Sequence, residues 1–96
     1  MALALTGLRV WDGTSAELGP ERATLRIEGE RIAAVGSQVR PEPGDETIAL
    51  DGAVALPGLI DAHVHIWDEA ELSAYLASGV TMVRNASGMP FHLAFA

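Results

Sequence analysis

Apolar and polar residues alternate over short stretches in the first half of the chain, a pattern that predicts β-strands with one buried face. The clearest stretch is 23–27, which is followed by Glu-Gly-Glu and a second apolar run at 31–35. Gly29 lies where a tight hairpin requires a positive φ. Three further short strands are predicted, at 5–10, 47–51 and 54–56. Joined by turn residues, these strands predict a small antiparallel β meander over residues 1–56.

The pattern changes near residue 57. The run 59–65 is apolar on both faces apart from Asp61 and two histidines, which is typical of strands in a parallel sheet covered on both sides. Pro57 and Gly58, immediately before it, suit the central positions of a type II turn. We therefore expect a rigid strand that is entered through a tight turn.

A helix and a second strand are predicted next. Asp68 and Glu71 have the spacing of a capping box, and Gly79 is placed to end the helix. The helix is expected to bury three side chains, those of Leu72, Tyr75 and Leu76. The β-branched run 80–83 predicts a strand, so residues 57–96 are expected to contain a β-α-β unit and the start of a further helix. The predicted class is mixed α/β.

Composition and charge narrow the class of protein. The chain has 96 residues, is 49% hydrophobic and contains no cysteine, which excludes disulfides and thiolate chemistry. Its net charge of −7 argues against nucleic acid and anionic membranes as partners. No apolar run approaches the ~20 residues of a membrane span, and the first residues lack the basic region of a signal peptide. We expect a soluble, cytoplasmic protein.

The strongest candidate for chemistry is His63-Val64-His65, at the end of the apolar strand. Residues two apart on a strand point to the same face, with Cα atoms roughly 6.6 Å apart. Both imidazoles can then reach one divalent ion at about 2.0–2.1 Å. The pattern predicts half of a metal site. The alternative is a pair of strand histidines packed at the end of a sheet.

Three stretches of the chain resemble the amidohydrolase superfamily of metal-dependent hydrolases: 32–36, 56–65 and 75–85. The most specific is the sequence Pro-Gly-Leu-Ile-Asp-Ala-His-Val-His at 57–65, preceded by a β-rich segment. The order and spacing of the stretches look most like the imidazolonepropionase-like branch. The resemblance covers nearly the whole chain, and it matches only the N-terminal portion of that family.

The resemblance implies a (β/α)₈ TIM-type barrel that carries one or two metals, with an accessory β-sandwich built from both chain ends. Residues 1–56 would belong to the sandwich, and residues 57–96 would hold the first barrel strand, a helix, the second strand and the start of the next helix. His63 and His65 would be metal ligands at the end of barrel strand one, usually of zinc. The implied reaction is hydrolysis of C–N bonds in small amide or lactam substrates by a metal-activated water.

Neighbouring residues have open roles. Asp61 can orient an imidazole from the second coordination sphere, or it can accept hydrogen bonds from nearby backbone. Arg84 and Asn85 end the second strand and would face the barrel mouth in the family's geometry, where substrate contact and a salt bridge at the rim are the two alternatives. Trp67 is expected to pack against its surroundings, and His92 to be solvent-exposed or bonded locally. No residue of this chain is assigned as catalytic.

The chain lacks several parts of the family's site. The family draws a Lys, two further His and an Asp from later strands, and this chain has no Lys at all. A barrel of this type takes roughly 250 residues. We therefore expect this chain to be the N-terminal part of an amidohydrolase and to be inactive alone. We also expect it to require a C-terminal segment, or to associate with itself through apolar strands that nothing covers. The alternative is a non-catalytic β-rich module with at most weak metal binding.

Overall fold

A computed structural model describes residues 1–95 and divides the chain into two compact units, Met1–Pro57 and Gly58–Ala96. The first unit contains five strands: β1 Leu3–Val10, β2 Ala23–Glu28, β3 Arg31–Gly36, β4 Glu46–Ala49 and β5 Val54–Ala55. The second contains β6 Leu59–Val64, α1 Glu71–Ala77, β7 Val80–Asn85 and a 3₁₀ helix, Pro90–Phe95. The predicted mixed α/β class is confirmed. Neither helix in the described range has the length and apolar character needed to cross a bilayer.

The hairpin predicted in the first unit is confirmed. β2 and β3 pair in antiparallel fashion, with Glu28 opposite Arg31, and Gly29 in the turn has a φ of +58°. Glycine takes this conformation without the clash that a Cβ would introduce. The other side of β2 pairs in antiparallel fashion with β1, so the sheet order is β3-β2-β1-β4, with β5 also paired to β1.

The second half of this sheet differs from the antiparallel meander that the sequence predicted. β4 and β5 both run parallel to β1, with Leu3 opposite Glu46 and Arg9 opposite Val54. The reason is that β2 already occupies one side of β1, while residues 37–45 return the chain to the end of the sheet where β1 begins. The backbone N–H of Glu46 donates to the carbonyl of Ala2 there, at 2.9 Å. The meander prediction is therefore wrong for β4 and β5, and the sheet is mixed.

An ion pair between Arg26 and Asp45 ties this connection to β2. The Arg26 guanidinium donates to both carboxylate oxygens of Asp45, from Nε at 2.6 Å and from Nη2 at 3.1 Å. It also pairs with Glu28 and Glu42. The Asp45 side chain is only 3% exposed. The hydrogen bonds from Arg26 and from the backbone N–H of Glu42 lower the pKa of Asp45 to about 2, so the carboxylate stays ionised in the folded protein.

The core of the first unit is small, and much apolar surface remains exposed. Its fully buried apolar residues are Ala2, Ala4, Leu8 and Ala23. Ile32, Val35 and Leu56 are each about half exposed or more, and they line an apolar groove together with Trp11. The solvent face of a sheet is usually polar, so an exposed apolar groove of this kind marks an interaction surface.

In the second unit, β6 and β7 pair in parallel and α1 connects them. The predicted capping box is present only in part: the Glu71 carboxylate accepts the backbone N–H of Asp68 at 3.0 Å. The helix itself begins at Glu71, and its N-cap residue is Ala70, which has no side-chain cap, so the prediction that Asp68 caps it is wrong. Gly79 follows the helix with a φ of +85°, as predicted for a glycine that ends a helix.

Leu76 and Trp67, however, are 65% and 62% exposed. The predicted packing of Trp67 is therefore wrong. The predicted burial of Leu72, Tyr75 and Leu76 is wrong as well, because α1 buries none of its residues. With only seven residues, α1 leaves much of both strands exposed.

Gly58 has a different role from the one predicted. A type II turn centred on Pro57 and Gly58 requires a positive φ at the glycine, and Gly58 does not have one. A Cβ at this position would instead collide with the side chain of Thr81 in β7. The glycine is therefore needed because β6 begins in close contact with β7, and the turn prediction is wrong.

Candidate metal centre

His63 and His65 lie beside one another at the C-terminal end of β6. His63 is within the strand and His65 is one residue past its end, and both side chains are exposed. Their Nε2 atoms are 3.3 Å apart, and the ring centroids are 5.2 Å apart with the ring planes at 61°. The structure thus brings the same nitrogen of both imidazoles close together.

This spacing fits a shared divalent ion. Two imidazole nitrogens bound to one tetrahedral zinc at about 2.0–2.1 Å lie about 3.3–3.4 Å apart. The observed separation of 3.3 Å agrees with that value. Neutral imidazole is also among the ligands that zinc prefers. The same separation allows a hydrogen bond between the rings in the metal-free protein, with one Nε2 donating and the other accepting.

Asp61 stabilises the strand that carries the first imidazole. Its Oδ1 accepts the backbone N–H of His63 at 3.1 Å. This contact corresponds to the second of the two roles considered for Asp61, a bond to nearby backbone. Within residues 1–95 the Asp61 carboxylate has no hydrogen bond to either imidazole. Its effect on His63 is therefore exerted through the backbone.

A clamp of two side chains holds the segment that follows His65. Asn85 accepts the backbone N–H of Ile66 at 3.0 Å, and His92 contacts the carbonyl of Ile66 from Nε2 at 2.6 Å. The Nδ1 atom of His92 accepts the backbone N–H of Met89 at 2.8 Å, so the proton of a neutral ring lies on Nε2 and is donated to Ile66. Both backbone groups of Ile66 are thereby satisfied, next to the second candidate ligand.

This clamp is the part of the site that the sequence interpretation missed. His92 is bonded locally to Met89, as one of its predicted alternatives stated, and it is also bonded to a residue 26 positions away. Asn85 reaches across 19 positions. Asn85 is the last residue of β7, as the sequence predicts for a strand end. Nothing in the sequence indicates which backbone it binds.

The described part of the chain brings only two candidate ligands together. Among residues 1–95 there is no group of three or more His, Cys, Asp or Glu side chains placed to hold a metal ion. Arg84 lies on β7 with its side chain exposed, and within the same range its guanidinium forms no ion pair. A catalytic zinc commonly has three protein ligands and one open position. Two imidazoles would fill about half of such a coordination sphere.

Comparison with known sequences finds several related enzymes, although no family model matches the chain. Adenine deaminase of Kosmotoga olearia is 42% identical over 64 residues, which are 67% of this chain and 10% of that protein. A dihydroorotase-like protein of Pseudomonas putida is 34% identical over 91 residues, covering 84% of this chain and 21% of that protein. Imidazolonepropionase of Rubrobacter xylanophilus is 45% identical over 49 residues, covering 45% and 12%. The chain thus spans about a fifth or less of the length of these relatives. Because the names of these relatives give different activities, its assignment to the imidazolonepropionase-like branch stays a prediction.

Solved structures show the same relationship. A prolidase complexed with N-methylphosphonate-L-proline is 28% identical, with a TM-score of 0.78 over 97% of this chain and 28% of that one. A Bifidobacterium longum protein assigned as a prolidase gives a TM-score of 0.83 over 97% of this chain and 25% of that one, and at 20% identity it supports the fold alone. The chain belongs to the amidohydrolase superfamily and corresponds to a short N-terminal portion of its members.

Proposed function

We propose that this chain is the leading segment of a metal-dependent amidohydrolase that hydrolyses non-peptide C–N bonds of the amide or lactam type. In this proposal His63 and His65 are two of the ligands of its divalent metal, which we take to be zinc. The observation that supports it best is the 3.3 Å separation of the two Nε2 atoms, which suits a shared ion, in a chain of this superfamily.

The residues of this chain would bind and orient the ion. Its chemistry would be Lewis acidity, which lowers the pKa of bound water to about 7 and polarises a carbonyl. Asp61 holds the backbone at His63, and the clamp of Asn85 and His92 holds the backbone just after His65. Both imidazoles therefore project from restrained backbone, which reduces the ordering required when an ion binds.

We further propose that β6, α1 and β7 are the first strand, helix and second strand of a (β/α)₈ barrel. The parallel pairing of β6 and β7 supports this, and so does the location of both histidines at the C-terminal end of a strand, where barrel enzymes carry their chemistry. Residues 57–96 would then begin the barrel, and residues 1–56 would contribute to a composite sandwich. The exposed apolar side chains of both units favour covering by further polypeptide or by self-association.

Zinc titration by calorimetry tests the ligand assignment. The unmodified chain should bind zinc, and the His63→Ala/His65→Ala double variant should lose this binding. Glu69→Gln is the matched control, because it removes an exposed carboxylate four positions after His65 and keeps both candidate ligands. Circular dichroism establishes that each variant is folded. Equal zinc binding by the double variant and the unmodified chain would show that the assignment is wrong.

A complementation experiment tests the enzymatic part of the proposal. The 96-residue chain alone should not hydrolyse a panel of amides and lactams, because two ligands leave the metal site incomplete. Supplied with a C-terminal segment of an amidohydrolase that carries the remaining ligands, it should become active, and the double histidine variant should stay inactive. The alternative, a non-catalytic β-rich module, predicts no hydrolysis from any combination.

A further inference from the structure

We infer that His92, in the 3₁₀ helix Pro90–Phe95, is a positioning residue for the metal ligand His65, and that ion binding and the order of this helix stabilise one another. The inference rests on the proposed role of His65 as a ligand. It goes beyond that role because it gives the segment after β7 a part in metal binding without any ligand from that segment.

The backbone on both sides of His65 is held in place. Val64 and Ile66 are each only 4% exposed, whereas the ring of His65 is exposed. The carbonyl of Val64 accepts the backbone N–H of Ala86 at 2.8 Å, and both backbone groups of Ile66 are bonded by the clamp. Because both of its neighbours are buried and bonded, the backbone of His65 is restrained, and so is the direction in which its Cβ points.

The start of the 3₁₀ helix determines which ring nitrogen of His92 faces Ile66. The backbone N–H of Met89 donates to Nδ1 at 2.8 Å, and the backbone N–H of His92 donates to the carbonyl of Met89 at 3.0 Å. The hydrogen bond made by one ring nitrogen sets the protonation of the other. Since Nδ1 accepts, the neutral ring carries its proton on Nε2, which donates to the carbonyl of Ile66 at 2.6 Å. His92 is therefore oriented as a donor to the residue next to His65.

Aromatic packing within the same helix supports this orientation. The centroid of the His92 ring lies 4.1 Å from that of Phe91 and 5.9 Å from that of Phe95, and the second pair is edge to face at 79°. Aromatic pairs with these separations are stabilising. A 3₁₀ helix of six residues has little stability of its own, so its order and the bond from His92 to Ile66 depend on one another. By linkage, an ion that orders His65 must also stabilise the helix, and the helix must strengthen ion binding by the same factor.

Two substitutions of His92 separate its donor from its acceptor. The amide N–H of His92→Gln can take the position of Nε2 and bond to Ile66, whereas His92→Asn keeps an acceptor near Nδ1 and is too short to reach Ile66. In calorimetric titration, His92→Asn should bind zinc about 10-fold more weakly than the unmodified chain, and His92→Gln should recover most of that loss. Gly79→Ala is the matched control, because it strains the end of α1 in the same unit and should leave zinc affinity unchanged.

Hydrogen exchange measured by NMR gives a second readout, which a purely structural role of His92 would not change. In the unmodified chain, zinc should slow exchange of the His92 amide, which donates to the carbonyl of Met89. The amides of β2, in the other unit, are the internal reference and should exchange at the same rate with and without zinc. In His65→Gln, zinc should no longer slow exchange of the His92 amide.

The outcomes separate this inference from the proposed function. Equal zinc affinity in His92→Asn and the unmodified chain, or zinc that leaves exchange of the His92 amide unchanged, would overturn the inference and leave the ligand assignment in place. The same loss of affinity in Gly79→Ala as in His92→Asn would also overturn it, since a general loss of stability would then explain both. No zinc binding by the folded, unmodified chain would overturn the inference and the ligand assignment together. If His92→Asn does not fold, the exchange measurement on the unmodified chain decides.

Discussion

The close approach of Gly58 to Thr81 allows a quantitative prediction about β6, the strand that carries His63. In a Gly58→Ala variant, the new Cβ would lie under 3.0 Å from three side-chain atoms of Thr81 unless the strands moved apart. Overpacking of this kind costs about 1–3 kcal/mol. If β6 opens as a unit, that cost corresponds to about 5- to 150-fold faster amide exchange, at about 1.4 kcal/mol per factor of ten.

Hydrogen exchange measured by NMR at the Leu59 amide is a suitable assay, because that N–H donates to the carbonyl of Gly79 at 2.9 Å. Gly88→Ala is the matched control, since Gly88 has no positive φ and nothing within 4 Å of the added Cβ. It should change stability by less than about 0.5 kcal/mol. In a double-mutant cycle, Thr81→Gly should relieve part of the cost of Gly58→Ala. Equal exchange rates in the two alanine variants, or an absence of coupling to Thr81, would refute the steric explanation.

Three further predictions concern other contacts of the fold. Asn85→Ala removes the acceptor for the buried N–H of Ile66, and it should lower the free energy of unfolding in urea by about 1–3 kcal/mol. Asn85→Asp keeps an acceptor oxygen and should lower it less. Equal losses of stability in the two variants would contradict this explanation. The pKa of Asp45 is lowered to about 2 in the folded protein, against about 3.9 when unfolded. The stability that comes from its pairing with Arg26 should therefore be fully present above about pH 4 and be lost as the pH falls toward about 2. In urea unfolding, the free energy of unfolding of Asp45→Asn should vary less with pH over that window than that of the unmodified chain. Gly79→Ala places a Cβ at a φ of +85° and should lower thermal stability by about 1 kcal/mol, while an unchanged melting temperature would argue against a strained helix end.

The exposed apolar residues link the fold to the proposed function. Ile32 and Leu56 in the first unit, and Ile60 and Met82 in the second, are at least half exposed. The chain spans about a fifth or less of the related enzymes, whose remaining length offers polypeptide that could cover these faces. The same surfaces support the proposal that the isolated chain associates with itself.

Several features followed from the sequence because they depend on residues close together in the chain. The hairpin turn at Gly29, the hydrogen bond from the backbone of Asp68 to Glu71 and the helix end at Gly79 each involve contacts across a few positions. The proximity of His63 and His65 belongs to the same group, since a spacing of two along a strand brings side chains to one face. The number and type of candidate ligands were therefore visible without a structure.

The remaining features were decided by tertiary structure. β4 runs parallel to β1 because the vacant side of β1 and the path of residues 37–45 determine its direction, and no local pattern encodes either. Gly58 is required by the side chain of Thr81, 23 positions away, and the backbone of Ile66 is held by Asn85 and by a histidine near the end of the chain. Local patterns specify the conformation of neighbouring residues, whereas these contacts exist only after the strands have packed.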